Sequence, residues 1–212
     1  MESDFLHRGW HERGCLPHFD CGAVAQLITF RLADSLPRHV WDDLTVAAGP
    51  ERRQELEAML DKGRGACLLA DPTNAVVVRD ALRYFDGERY HLLAWVVMPN
   101  HVHVLIEQVA GHRLGDVVAS WKSFTAKAIN RRRGSHGAVW APDYHDRYIR
   151  NAAHHTAALR YVEDNPVNAS LVRAAADWPF SSARERQDLG TAGVSPAPND
   201  AVGGRDARGP RL

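Results

Sequence analysis

Side chains alternate along residues 21–32: Gln26, Ile28 and Phe30 fall on one face, and Leu27, Thr29 and Arg31 on the other. That period of two predicts a first strand. Asp34-Ser35-Leu36-Pro37 has helix-start chemistry, a capping side chain followed by proline. Val40, Trp41, Leu44, Leu56, Met59 and Leu60 then suit one or two helices within residues 39–61, broken near Gly49-Pro50. Asp71-Pro72-Thr73-Asn74 leads into a helical stretch at 75–85, closed by Asp86-Gly87. Two apolar runs, 89–97 and 102–109, predict a second and a third strand, and the turn dipeptide Pro99-Asn100 separates them.

Residues 113–133 carry a broad apolar stripe through Leu114, Val117, Val118, Trp121, Phe124, Ala128 and Ile129, which predicts a helix. Residues 138–149 read as an extended segment. Asn151 is placed to cap a helix from 152 to about 164, which Pro166 should stop because the residue before proline avoids the helical region. Residues 167–182 should pack across the domain. The order is strand, helices, strand, strand, helix, strand, helix. It predicts an α+β fold on the ferredoxin-like, split β-α-β plan: an antiparallel sheet with helices on one face and an extra C-terminal helix.

Composition narrows the class without naming a function. The apolar fraction is 45% and the charged fraction 25%, as in an ordinary globular protein. The 26 basic and 26 acidic residues cancel, so any argument for a polyanionic partner must be local. Cys15, Cys21 and Cys67 form no CxxC and fit a reducing, cytoplasmic setting. Cys15 and Cys21 with His11 or His18 do not make a spaced zinc set. No apolar run reaches the ~18 residues of a membrane span, and no membrane partner is expected. Residues 1–19 read as a polar N-terminal arm, and 184–212, rich in Gly, Ala, Pro, Asp and Arg, as a disordered tail. The domain between them is 20–183.

Chemistry concentrates on the third strand. His101 and His103 stand two apart, so they share a face, with ~7 Å between their positions. Both imidazoles can therefore reach one metal ion. Tyr161 and Asn165 are four apart on the closing helix and share its face. If that face meets the histidines, one small volume holds two imidazoles, an amide oxygen and a phenol. Such a set leaves positions open on an octahedral Mg²⁺ or Mn²⁺. A phenol, with a pKa near ~10, then has a natural use in attack on a phosphodiester polarised by the metal, giving a phosphotyrosine.

Local charge agrees with this. Between 113 and 150 lie eight basic residues, Arg113, Lys122, Lys127, Arg131, Arg132, Arg133, Arg147 and Arg150, against Asp116, Asp143 and Asp146. They form a candidate nucleic-acid-binding set. Trp121, Phe124, Trp140, Tyr144 and Tyr148 are interleaved with them, most of them as expected core residues.

The stretches VVMPNHVHVLIE, WKSFTAKAIN, DRYIR, YVEDNPVNASLV and DWPFSS resemble the REP-associated tyrosine transposases, of the wider single-tyrosine, His-hydrophobic-His group. The resemblance runs from about Pro17 to Ser182. It implies that His101 and His103 bind a divalent cation, that Asn165 completes the metal site, and that Tyr161 is the nucleophile. It further implies cleavage and joining of single-stranded DNA at REP-type hairpins through a 5′-phosphotyrosine, by a monomer or a homodimer. Glu163-Asp164, two acids beside a phosphate site, depart from the family pattern, with metal ligation and a solvent-facing position as the two alternatives for them. The competing expectation is a domesticated hairpin-binding protein that does not cut. A histidine-triad hydrolase would need a third histidine where Leu105 stands.

Overall fold

The computed structural model describes residues 9–12, 17–20, 24–37, 40 and 50–192. The strands are β1 (Gly9–Glu12), β2 (Pro17–Asp20), β3 (Ala25–Arg31), β4 (Tyr90–Val97), β5 (His101–Gln108) and β6 (His145–Tyr148). The helices are α1 (Pro50–Asp61), α2 (Pro72–Arg83), α3 (Leu114–Arg133), α4 (Ala152–Asn168) and α5 (Ser182–Ala192). The main sheet has the order β4-β5-β3-β6, and every neighbouring pair is antiparallel. Counted from β3, this is the ferredoxin-like order expected from the sequence, with β5 and β3 in the centre.

The two sheet faces carry different apolar clusters. Ile28, Phe30, Val102, Val104 and Ile106 pack under Val78 and Leu82 of α2 and Val117, Val118 and Trp121 of α3. On the other face Leu27, Val96 and Leu105 meet Ala158 and Val162 of α4. The parity of β4 changes partway. Leu92 and Trp95, three apart, both serve the first cluster, because a register shift between Leu92 and Ala94 inserts one extra residue. The edge of β4 is covered by the chain before α5: Val97 N donates to Phe180 O at 2.9 Å, and Trp95 N donates to the Ser182 hydroxyl at 3.1 Å.

Two helices carry side-chain caps, of which the Asn151 cap was expected from the sequence. Asp71 accepts from Thr73 N at 2.9 Å, and Asn151 accepts from His154 N at 2.9 Å. Four expectations need correction. Pro166 does not stop α4, which runs on to Asn168. Pro166 is buried in its last turn, and Ala169 N→Asn165 O and Leu171 N→Pro166 O, both 2.9 Å, close the helix beyond it. Residues 184–192 are helical rather than tail, because α5 is tied down: Arg83 pairs with Glu185 at 2.9 Å, and Arg186 with Glu163. Asp34 caps no helix; its carboxylate accepts from Ala66 N at 2.8 Å. Residues 9–12 and 17–20 pair as the antiparallel strands β1 and β2 where an aperiodic arm was expected. Residues 41–49, Cys15, Cys21 and the tail from 193 lie outside the described residues. Among the described residues, no helix is long and apolar enough to cross a membrane.

Candidate active site

β5 is buried on both faces, so its alternation is not of polar with apolar but of imidazole with valine. In register, Arg31 lies opposite His101 and Thr29 opposite His103 on β3, and Val96 flanks His103 on β4. The two imidazoles are each 1% exposed, with ring centroids 4.7 Å apart. Burial pushes the His101 pKa down to about 3, and the nearby Asn165 side chain opposes that only in part. Burial, then the charges His101 and His145 would carry, hold His103 well below the ordinary value. Both rings are therefore neutral at physiological pH, the form that binds metals.

One hydrogen-bond chain sets the tautomer of His101. Asn100 Nδ2 donates to Leu60 O and to Arg64 O, each at 3.1 Å. The Asn100 amide is thereby oriented, and its Oδ1 must accept from His101 Nδ1 at 2.7 Å. His101 Nε2 is left with its lone pair facing inward. It is buried and has no hydrogen-bond partner. His103 is held from both sides: its Nδ1 lies 2.7 Å from Thr29 Oγ1, and its Nε2 lies 3.3 Å from the Tyr161 hydroxyl.

α4 delivers the other expected residues. Tyr161 packs against His103 with ring centroids 5.1 Å apart. One turn on, Asn165 is 1% exposed, and its Oδ1 has no hydrogen-bond partner. Burial, then Glu57 and Asp61, raise the Tyr161 pKa well above the ordinary phenol value, against a smaller opposing pull from Arg147. Sequence reasoning missed the acids, which come from α1. Glu57 hydrogen-bonds the Tyr161 hydroxyl. Asp61 Oδ1 lies 3.8 Å from His101 Nε2, and burial pushes its pKa up to about 6. Their i, i+4 spacing was the available signal. Glu163 and Asp164 face away from the site: Glu163 accepts from Ser182 at 2.8 Å and pairs with Arg186, while Asp164 is exposed. Of the alternative phenols, Tyr144 is buried in the opposite cluster, and Tyr148 lies near the Arg150 guanidinium.

Among the described residues, no three His, Cys, Asp or Glu side chains form a ready-made metal cage. The converging set includes an amide oxygen, however. Two buried, unpartnered acceptor atoms, His101 Nε2 and Asn165 Oδ1, are what a hard divalent cation would satisfy. On chemical grounds the residues fit such an ion.

The eight basic residues do not converge. Arg147 is opposite Leu27 on the histidine face and close enough to act on Tyr161. Arg150 follows β6. Arg113, Lys122, Lys127, Arg131, Arg132 and Arg133 belong to α3 and its cap, on the opposite face. Lys127 and Arg131, with Asn130 and residues 134–137, line a cavity of about 540 Å³. Arg132 pairs with Asp71 at 3.6 Å. Lys122 donates to Pro142 O at 2.8 Å, and burial lowers its pKa to about 8, so it braces a loop.

Residues 75–165 match the family of IS200-like transposases. That span holds every expected site residue and runs from α2 through Asn165. Among solved structures, a REP-associated tyrosine transposase bound to a REP hairpin has a TM-score of 0.54 at 18% identity, covering 85% of this chain and 86% of its own. At that identity the likeness establishes the fold. A candidate transposase from Deinococcus radiodurans R1 is 20% identical, with a TM-score of 0.34, covering 73% of this chain and 96% of its own. No curated protein matches the sequence at a comparable level.

Proposed function

We propose that this chain nicks and joins single-stranded DNA at hairpins, using Tyr161 as nucleophile and a divalent cation; the match of residues 75–165 to the IS200-like transposase family supports this reading. The observation that carries the reading is the Tyr161 hydroxyl at 3.3 Å from His103 Nε2, beside the unpartnered atoms of His101 and Asn165. His101, His103 and Asn165 would hold Mg²⁺ or Mn²⁺, which when bound neutralises charge on the scissile phosphate. Tyr161 Oη attacks phosphorus and forms an O–P bond; the P–O3′ bond breaks, leaving a 5′-phosphotyrosine and a 3′ hydroxyl protonated from solvent. Glu57, hydrogen-bonded to the phenol, takes its proton. The raised pKa of Tyr161 keeps the resting phenol protonated, so its proton has to leave to Glu57 as the attack proceeds. Arg147, whose charge acts on the Tyr161 phenol, would pair with the phosphate.

Hairpin DNA is proposed as substrate because the REP-bound neighbour shares the fold. The remaining arginines, with Lys127, contact the DNA backbone outside the cleavage site. The test is incubation with a hairpin-flanked single strand, with Mn²⁺ or with EDTA. A DNA adduct that survives denaturant is expected with Mn²⁺ and lost with EDTA. Hairpin binding without any adduct would favour the non-cutting reading.

A further inference from the structure

We propose that Asp61, at the end of α1, is an additional oxygen ligand of the divalent cation, supplied by a helix outside the matched segment at 75–165. The inference rests on the metal-dependent reading above and extends its ligand set to α1.

Three buried side-chain atoms in this volume have no hydrogen-bond partner: His101 Nε2, Asn165 Oδ1 and Asp61 Oδ1. They come from β5, α4 and α1, and they are one imidazole nitrogen and two oxygens. An unmade hydrogen bond on a buried polar group is unfavourable, and three around one volume indicate a shared positive partner. Nitrogen and oxygen donors without sulfur suit a hard ion. Asp61 Oδ1 lies 3.8 Å from His101 Nε2. The observed separation is too long for a hydrogen bond and shorter than twice a metal–ligand bond of about 2.1 Å, so one ion could touch both atoms. A direct ion pair is a poor account of the contact, because the oriented Asn100 amide leaves Nε2 without a proton.

Asp61 is also held there by the strand that carries the histidines. Asn100 donates to Leu60 O and Arg64 O, on either side of Asp61, while accepting from His101. Leu69 N donates to Pro99 O at 3.1 Å and closes the loop on the same turn. One side chain thus positions an imidazole and a carboxylate together. Electrostatically, a single carboxylate against neutral imidazoles and an amide lowers the net charge of a divalent site by one unit, leaving attraction for a phosphate.

The experiment is calorimetric titration of Mn²⁺ into the full chain, comparing wild type with Asp61→Asn and His101→Ala, with thermal melts of each in EDTA and in Mn²⁺. Asp61→Asn should bind Mn²⁺ about tenfold or more weakly. Its melting temperature in EDTA should equal or exceed that of wild type, because a buried carboxylate is replaced by a neutral isostere, and the Mn²⁺-induced rise should shrink. If Asp61→Asn binds Mn²⁺ as wild type does while His101→Ala does not, the assignment of Asp61 is overturned and the histidine site stands. If wild type binds no Mn²⁺, the metal-dependent function fails with it. If Asp61→Asn weakens binding only in step with a lower melting temperature in EDTA, Asp61 is structural and the inference fails.

Discussion

At the scale of single residues, the site depends on how few donors satisfy how many buried acceptors. Asn100 makes three hydrogen bonds while 1% exposed, and it sets the tautomer of His101. Asn100→Ala should destabilise the protein by about 1–3 kcal/mol, since a buried Nδ1 and two carbonyls each lose a partner. Urea unfolding measures this, and an unchanged midpoint would show that Asn100 does not clamp α1 to β5. The sequence made His101, His103, Tyr161 and Asn165 legible because strand and helix periods place them on shared faces. Asn100 was legible only as a turn residue, since its role comes from carbonyls 40 and 36 positions away. Asp61 and Glu57 carried only their i, i+4 spacing as a signal, for a related reason: α1 has a weakly patterned apolar face, and nothing local says which sheet face it meets.

At the scale of elements, the loop after α1 has the tightest local constraint. Gly65 has φ +87°, and a Cβ there would stand 2.6 Å from Asp34 O. Backbone cannot yield as a flexible side chain can, and the left-handed conformation adds strain for any other residue. Gly65→Ala should therefore lower the melting temperature and weaken Mn²⁺ binding together, by displacing the end of α1. A melting temperature equal to wild type would contradict the anchoring. Element-level reading of the sequence succeeded for the four core strands and for α2 and α3, where period and caps agree. It failed at Pro166 and at α5. The pre-proline preference is a local penalty of modest size, and burial of Pro166 with the closing bonds of α4 outweighs it. The start of α5 is polar and unpatterned, and what holds it is tertiary: Ser182 and Arg186 to Glu163, and Arg83 to Glu185.

At the scale of the molecule, the sheet separates chemistry from most of the basic charge. The imidazoles, Tyr161, Asn165 and the α1 acids occupy one face, while α3, with Lys127 and Arg131, covers the other. On the proposed function, a DNA strand that reached both would pass an edge of the sheet, and Arg147 and Arg150 lie on the β6 side. The expected basic set was legible as composition, but its division between two faces was not, because charge carries no period. The central claim is that Tyr161 forms the covalent bond to DNA, and mapping the linkage by mass spectrometry tests it most directly. Trypsin cuts after Arg160 and Arg173, so Tyr161 lies alone among tyrosines on one peptide. We expect the nucleotide remnant on that peptide, and no adduct from Tyr161→Phe. A remnant on the peptide bearing Tyr144 or Tyr148, or an adduct that persists in Tyr161→Phe, would contradict the assignment.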